Sequence, residues 1–308
     1  MLVVSMTKFV LGVNNCWAVK RYAMPREWIE ITATKLDVKV VQFSFDLLDP
    51  RTKQEARDAM IWETLNAARE YGITIHSAFT GLAAYSFNLL MHPDPGMRED
   101  ALDWYEAAIE AASKLNVVAV GGHVAAMTWG DYEDPKRREL MISVLLDELR
   151  YLSKLAKASG LRMLLWEPMP VAREPPSTIS EAKELLRLVN EGAHAPVKLC
   201  IDVGHACSPW ATRKEDLDPY AWLRELGSES PCVHIQQTDG KADRHWPFTE
   251  EYNKVGIIKP DKVLEALEES GSKENYLFLE IIHPFEYRED KVLEELKVSV
   301  DYWKEYVG

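Results

Sequence analysis

Eight short apolar runs, each followed by a longer stretch of different pattern, constrain the fold of this 308-residue chain more than any other feature. They are FVLGVN from Phe9, VKVVQFSF from Val38, ITIHSAF from Ile73, VVAVGGH from Val117, LRMLLWE from Leu161, VKLCID from Val197, CVHIQQ from Cys232 and YLFLEI from Tyr276. Runs this short and this rich in Val, Ile, Leu and Phe are strands, and helical patterns between them imply parallel pairing through crossovers. The helical patterns include EARDAMIWETLNAAREYG, REDALDWYEAAIEAASKL, RRELMISVLLDELRYLSKLAKASG and DKVLEALEESG. The first, third and fourth end in a glycine suited to a helix C-cap. Eight strand-helix units in about 300 residues predict an α/β fold, a closed (β/α)8 TIM barrel forming one domain over residues 1–308. The open doubly wound sheet is the alternative, but no G-x-G-x-x-G turn follows a strand and no P-loop is present.

Charge and composition narrow the partners. Against 36 Lys and Arg stand 49 Asp and Glu, a formal net charge of -13 that opposes a nucleic-acid partner. No apolar run approaches the roughly 20 residues needed to span a bilayer, so no membrane partner is expected. The opening segment MLVVSMTKFVLGVNN lacks the pattern of a signal peptide, and a cytoplasmic location is expected. Cys16, Cys200, Cys207 and Cys232 are scattered without a C-x-x-C pair, which suits reduced thiols rather than disulfides or a cysteine zinc site. The stretch from Pro168 to Pro176 reads as a loop over the barrel mouth.

The ionisable residues at the strand ends point to chemistry. Glu167 ends LLWE, Asp202 ends CID, His234 lies in VHIQQ and Glu280 ends LFLE, one on each of strands five to eight. In a barrel these ends converge on the face where active sites form. Any one of them alone would read as a solvated or helix-capping residue. Three carboxylates and an imidazole in one pocket repel and titrate upward unless a divalent cation neutralises them. The mixed oxygen and nitrogen set suits Mn2+, Co2+, Mg2+ or Zn2+. His76 in strand three, His123 at the end of strand four, His205 in DVGH, and Asp243 with His245 after strand seven are expected at the same mouth. Singly, each histidine reads as well as an ordinary core residue. Lys20 and Arg21, just past strand one, offer a charge and a donor fork to a phosphate, the alternative being an exposed solvated pair. Trp17, Trp166 and Trp246 are candidates to wall the pocket, whereas Phe43 and Phe45 read as core.

The motifs WEP, DVGH and H-x-Q-x-x-D-G, in that order, resemble those of the xylose-isomerase-like TIM-barrel superfamily, which includes sugar isomerases, ketose 3-epimerases and endonuclease IV. The resemblance spans nearly the whole chain. It implies that Glu167, Asp202, His234 and Glu280 are the metal ligands. Within the superfamily the chain most resembles tetrulose-phosphate epimerases and isomerases, through NNCWAVKRY from Asn14, QFSFDLLDP from Gln42, HSAFTGLAAYS from His76, GGHVAAM from Gly121 and DRHWPFTEE from Asp243.

That likeness implies a small sugar or sugar phosphate as substrate, with proton transfer next to a ketone through a metal-stabilised enediolate. Glu167 and Glu280 are then the acid/base pair. His205, His123, His76, His245, Lys20 and Arg21 are the expected substrate-binding groups, and Asp243 with His245 are candidates for an additional metal. Epimerase and isomerase are not separable at this level, and a homo-oligomer is compatible with the resemblance. Two alternatives stay open. His76, His123, Glu167, Asp202, His205, His234, Asp243, His245 and Glu280 resemble the nine ligands of the three-zinc phosphodiesterase endonuclease IV, and a non-catalytic sugar-binding barrel would keep the same pocket.

Overall fold

In the computed structural model, which describes residues 7–307, each of the eight apolar runs holds a strand. Residues 1–6 of the opening segment MLVVSMTKFVLGVNN, which is expected not to be a signal peptide, lie outside the described residues. In chain order the elements are β1 (Lys8–Asn14), α1 (Pro25–Ile31), β2 (Val40–Ser44), α2 (Gln54–Tyr71), β3 (Thr74–Phe79), α3 (Pro95–Lys114), β4 (Ala119–Gly122), α4 (Trp129–Glu133) and α5 (Pro135–Ala158). They continue as β5 (Met163–Trp166), α6 (Ile179–Asn190), β6 (Val197–Asp202), α7 (Pro219–Leu226), β7 (Cys232–Ile235), α8 (Glu250–Val255), α9 (Pro260–Glu269), β8 (Glu274–Leu279) and α10 (Glu289–Val307). All neighbouring strands pair in parallel, and β8 returns to β1, so the sheet is a closed barrel and the open-sheet alternative is excluded.

The helix stops lie where the glycines put them. Gly72, Gly160 and Gly271 take φ of 68°, 85° and 77°, a left-handed conformation costly for other residues. No helix of the described residues is long and apolar enough to cross a membrane.

Strand residues alternate between two apolar environments. Phe79, Ala119, Leu165, Cys200, Cys232 and Phe278 fill the barrel interior. Val41, Val120, Leu164, Trp166, Ile201, Val233 and Leu277 face the helical shell. Gly12 is required on β1 because a Cβ there would lie 2.7 Å from the Phe278 ring, so its absence lets that ring plug the barrel. One irregularity interrupts the alternation. Between β2 and β3 the register steps from Val41 opposite Ile75 to Gln42 opposite Ser77, leaving His76 as the extra residue of a bulge.

Candidate active site

The interior packing dictates the layer above it. Two residues beyond Leu165, Cys200, Cys232 and Phe278, on the same face of β5 to β8, come Glu167, Asp202, His234 and Glu280. These four are therefore the first polar layer over an apolar plug, at the C-terminal ends of the strands. One ligand atom from each lies within 4.8 Å of all the others. His234 and Glu167 are fully buried, with Asp202 and Glu280 nearly so. His234 Nδ1 faces Glu280 Oε2 at 2.9 Å, Glu167 Oε1 at 3.3 Å and Asp202 Oδ2 at 4.0 Å.

Uncharged side chains hold this layer in place. Gln42 Oε1 lies 2.5 Å from His234 Nε2, so that nitrogen donates and Nδ1 is turned to the carboxylates. Asn14 Nδ2 donates to both Gln42 Oε1 at 2.9 Å and Glu280 Oε1 at 3.0 Å. Gln42 Nε2 in turn donates to Ser77 Oγ at 3.2 Å. Tyr85, from the loop after β3, donates its hydroxyl to Glu167 Oε2 at 2.5 Å. Burial, then the nearby charges of Glu167 and Glu280, push the Tyr85 phenol well above its ordinary value, so it remains a donor. Asn14, Gln42 and Tyr85 escaped the sequence reading because they are uncharged; Asn14 closes β1 as Asp202 closes β6, whereas Gln42 sits in the middle of β2 and carries no such signal.

A second cluster joins the first through Asp202. Ligand atoms of Asp202, His205 and His245 also converge within 4.8 Å. His205 Nδ1 donates to the carbonyl of Pro168, the first residue of the proline-rich loop, at 2.8 Å, and His205 Nε2 lies 3.4 Å from Asp243 Oδ2. His245 Nε2 is 3.0 Å from the same carboxylate oxygen and its Nδ1 is 3.1 Å from the Glu280 carbonyl. Burial alone would lower His245, but Asp243 and Glu280 outweigh it and raise the imidazole to about 9. Asp202 is pushed up to about 6, first by burial.

Not every expected residue reaches this mouth. His76 does not: the bulge turns it into the barrel's lower end, where it stacks on Tyr276 at 3.9 Å and lies 3.7 Å from Cys232 Sγ. Its assignment as a substrate ligand is therefore corrected, and the nine-residue set is not assembled at one site. His123 is nearby and buried, stacked at 5.1 Å on Tyr85 with Nδ1 3.9 Å from Glu174. Arg21 donates to the Pro284 carbonyl at 2.7 Å, and the Lys20 ammonium sits 4.1 Å over the Phe285 ring, so both engage the loop after β8. Trp166 faces the helical shell and donates to the Pro175 carbonyl at 3.0 Å, which removes it from the pocket wall. Trp246 stacks on Tyr252 at 4.9 Å, while Trp17 is buried after β1. Phe43 and Phe45 are core, as expected. Cys200 and Cys232 are buried free thiols, and Cys16 and Cys207 are half-buried. A cavity of about 350 Å³ under the loops after β2 and β3, lined by Phe45, Ala84, Phe87 and Trp104, adjoins Tyr85 but includes none of the four central residues.

The central residues fit a divalent cation. His234 Nδ1 and Glu167 Oε1 are buried and face the centre of the cluster with no well-aligned hydrogen bond, although Glu280 Oε2 lies 2.9 Å from Nδ1. Orphaned buried groups of this kind cost several kcal/mol unless an ion or proton satisfies them, of order 1–3 each. Without an ion, burial would lower His234, yet the surrounding Cys200, Glu280 and Glu167 raise its basicity well above the usual value. Burial itself pushes Cys200 upward, leaving a neutral thiol, so Glu280 and Glu167 are the charges that matter. The pocket thus demands positive charge at its centre.

Comparison with known proteins gives four consistent likenesses. Residues 32–302 match the family described as xylose isomerase-like TIM barrel. The chain is 30% identical over 301 residues to D-erythrulose 1-phosphate 3-epimerase of Brucella abortus (strain 2308), covering 96% of each protein. A provisionally named xylose isomerase from Rhodospirillum rubrum superposes with a TM-score of 0.90 at 32% identity, over 96% of this chain and 99% of that one. D-Psicose 3-epimerase from Clostridium cellulolyticum H10, solved with D-tagatose, shares the fold at a TM-score of 0.70 and 18% identity, over 97% and 99% of the two chains.

Proposed function

The chain belongs to the xylose isomerase-like TIM-barrel family and is an enzyme of the isomerase class, and from that premise we propose a divalent-metal-dependent 3-epimerase of a short ketose phosphate. D-Erythrulose 1-phosphate, named for the Brucella abortus relative, is the substrate we favour. The observation behind this reading is the matched placement of Glu167 and Glu280. Each turns one oxygen to His234 Nδ1, at 3.3 and 2.9 Å, and gives the other to a neutral donor, Tyr85 or Asn14.

Glu167, Asp202, His234 and Glu280 would hold Mn2+, Co2+, Mg2+ or Zn2+. Such an ion supplies Lewis-acid stabilisation of negative charge on the ketone oxygen. Epimerisation beside that ketone needs a base on one face and an acid on the other. One glutamate, ionised, takes the proton from the carbon; the C–H electron pair moves into the carbon–carbon bond and the carbonyl pair onto oxygen, giving an enediolate. The other glutamate, protonated, returns a proton to the opposite face. Glu167 and Glu280 stand three strands apart around the mouth, which suits two-faced exchange. Tyr85 and Asn14 keep the carboxylates aimed, while His205, His245, Asp243 and His123 line the rim available to substrate hydroxyls. Lys20 and Arg21 are the pair we assign to the phosphate.

A screen by NMR for deuterium wash-in from solvent tests this reading, over free and phosphorylated four- to six-carbon ketoses with Mn2+ present. Exchange next to the ketone of a tetrulose 1-phosphate, faster than in the free sugar, is expected. Absence of exchange in every ketose would overturn the reading.

A further inference from the structure

Gln236 is fully buried one residue past β7, and its amide orientation is set by the backbone. Its Oε1 accepts from the Arg244 N–H at 3.2 Å and from the His245 N–H. The NH2 group therefore points the other way, into the second cluster. Nε2 lies 2.6 Å from Asp243 Oδ1, 3.0 and 3.1 Å from the two Asp202 oxygens, and 3.2 Å from His245 Nδ1. These atoms belong to the residues that, with His205, a second cation would need.

We propose that the Gln236 amide takes the place of a second cation, so that the chain binds one divalent ion although two ligand clusters share Asp202. The inference rests on the reading that Glu167, Asp202, His234 and Glu280 hold the first. An amide NH2 has two protons and no lone pair to offer, so it satisfies carboxylates as a donor while repelling a cation placed against it. It cannot swing aside cheaply, because its oxygen is tied to two backbone N–H groups. Gly204 belongs to the same device. A Cβ at that position would lie 2.3 Å from the Gln236 carboxamide carbon, so the glycine of DVGH is what admits the side chain.

Metal content of the full-length protein decides the matter. Metal-stripped wild type, Gln236→Glu and Gln236→Ala are loaded with excess Co2+, freed of unbound ion and assayed for cobalt per chain, with circular dichroism to confirm folding. Mn2+ electron paramagnetic resonance on parallel samples reports whether bound ions are isolated or spin-coupled. The expected result is one isolated ion in wild type, and a second, coupled ion in whichever variant folds, since Glu adds a ligand and Ala withdraws the competing donor. Two ions in wild type would overturn this inference and leave the first site standing. One ion in wild type and in every folded variant would overturn it equally. No ion in wild type would instead sink the metal-dependent function itself.

Discussion

At the residue scale, the site depends on neutral groups as much as on charged ones. Gln42 fixes which His234 nitrogen faces the carboxylates, through a contact of 2.5 Å to Nε2. Replacing it by Leu leaves that nitrogen without an acceptor and frees the ring to present either tautomer. Loss of such an outer partner typically weakens metal affinity about 10- to 100-fold. We expect Gln42→Leu to weaken Co2+ binding by that factor in a calorimetric titration while the fold is retained; unchanged affinity would remove Gln42 from the account. The charged residues were legible in the sequence because a Glu or Asp closing an apolar run stands out. Gln42 and Asn14 were not, because an amide in a strand reads equally well as backbone support, and only coordinates tell which atom it faces.

At the element scale, the period-two alternation of β5 to β8 explains why one apolar layer plugs the barrel and the next is the polar layer of the candidate site. The eight strands and three glycine-stopped helices were legible for the same reason, since hydrophobic periodicity is a local property. The β3 bulge was not, because it depends on register against β2, and it misled the reading of His76. That residue gives a pH prediction. Burial, opposed by Glu274 and reinforced by Arg162, lowers His76 to about 4, with the neutral Cys232 thiol and Tyr276 as its other neighbours. In the unfolded chain it titrates near the ordinary 6.5, so between these values the unfolded state binds the extra proton. Its contribution to stability is thus fully present above about pH 6.5 and is lost as pH falls toward about 4. By pH 5 the loss amounts to about 2 kcal/mol. His76→Phe should show a smaller fall in urea midpoint between pH 7 and pH 5 than wild type; an identical fall would contradict this placement.

At the scale of the whole molecule, the mouth gathers negative charge that the barrel alone does not neutralise. Glu167, Asp202, Glu280 and Asp243 come from three strands and a loop, all closing on His234 and the His205–His245 pair. A bound ion should therefore stabilise the fold as well as serve the reaction. A ligand present at 100 times its dissociation constant stabilises by about 2.7 kcal/mol. Chelation is expected to lower Tm by several degrees and added Mn2+ to restore it. A Tm indifferent to both would speak against a cation at the centre. The motifs made the family legible in the sequence, whereas the number of ions was open there, since in our proposal it turns on the direction of one amide.

The proposed reaction has Glu167 and Glu280 exchange a proton with the carbon beside the ketone. It is tested most directly by deuterium wash-in to the substrate with Glu167→Gln and Glu280→Gln, each assayed at saturating Mn2+ with its metal content measured. Exchange is expected to fall by about 10²- to 10⁴-fold in both variants. Wild-type exchange in either one would contradict it.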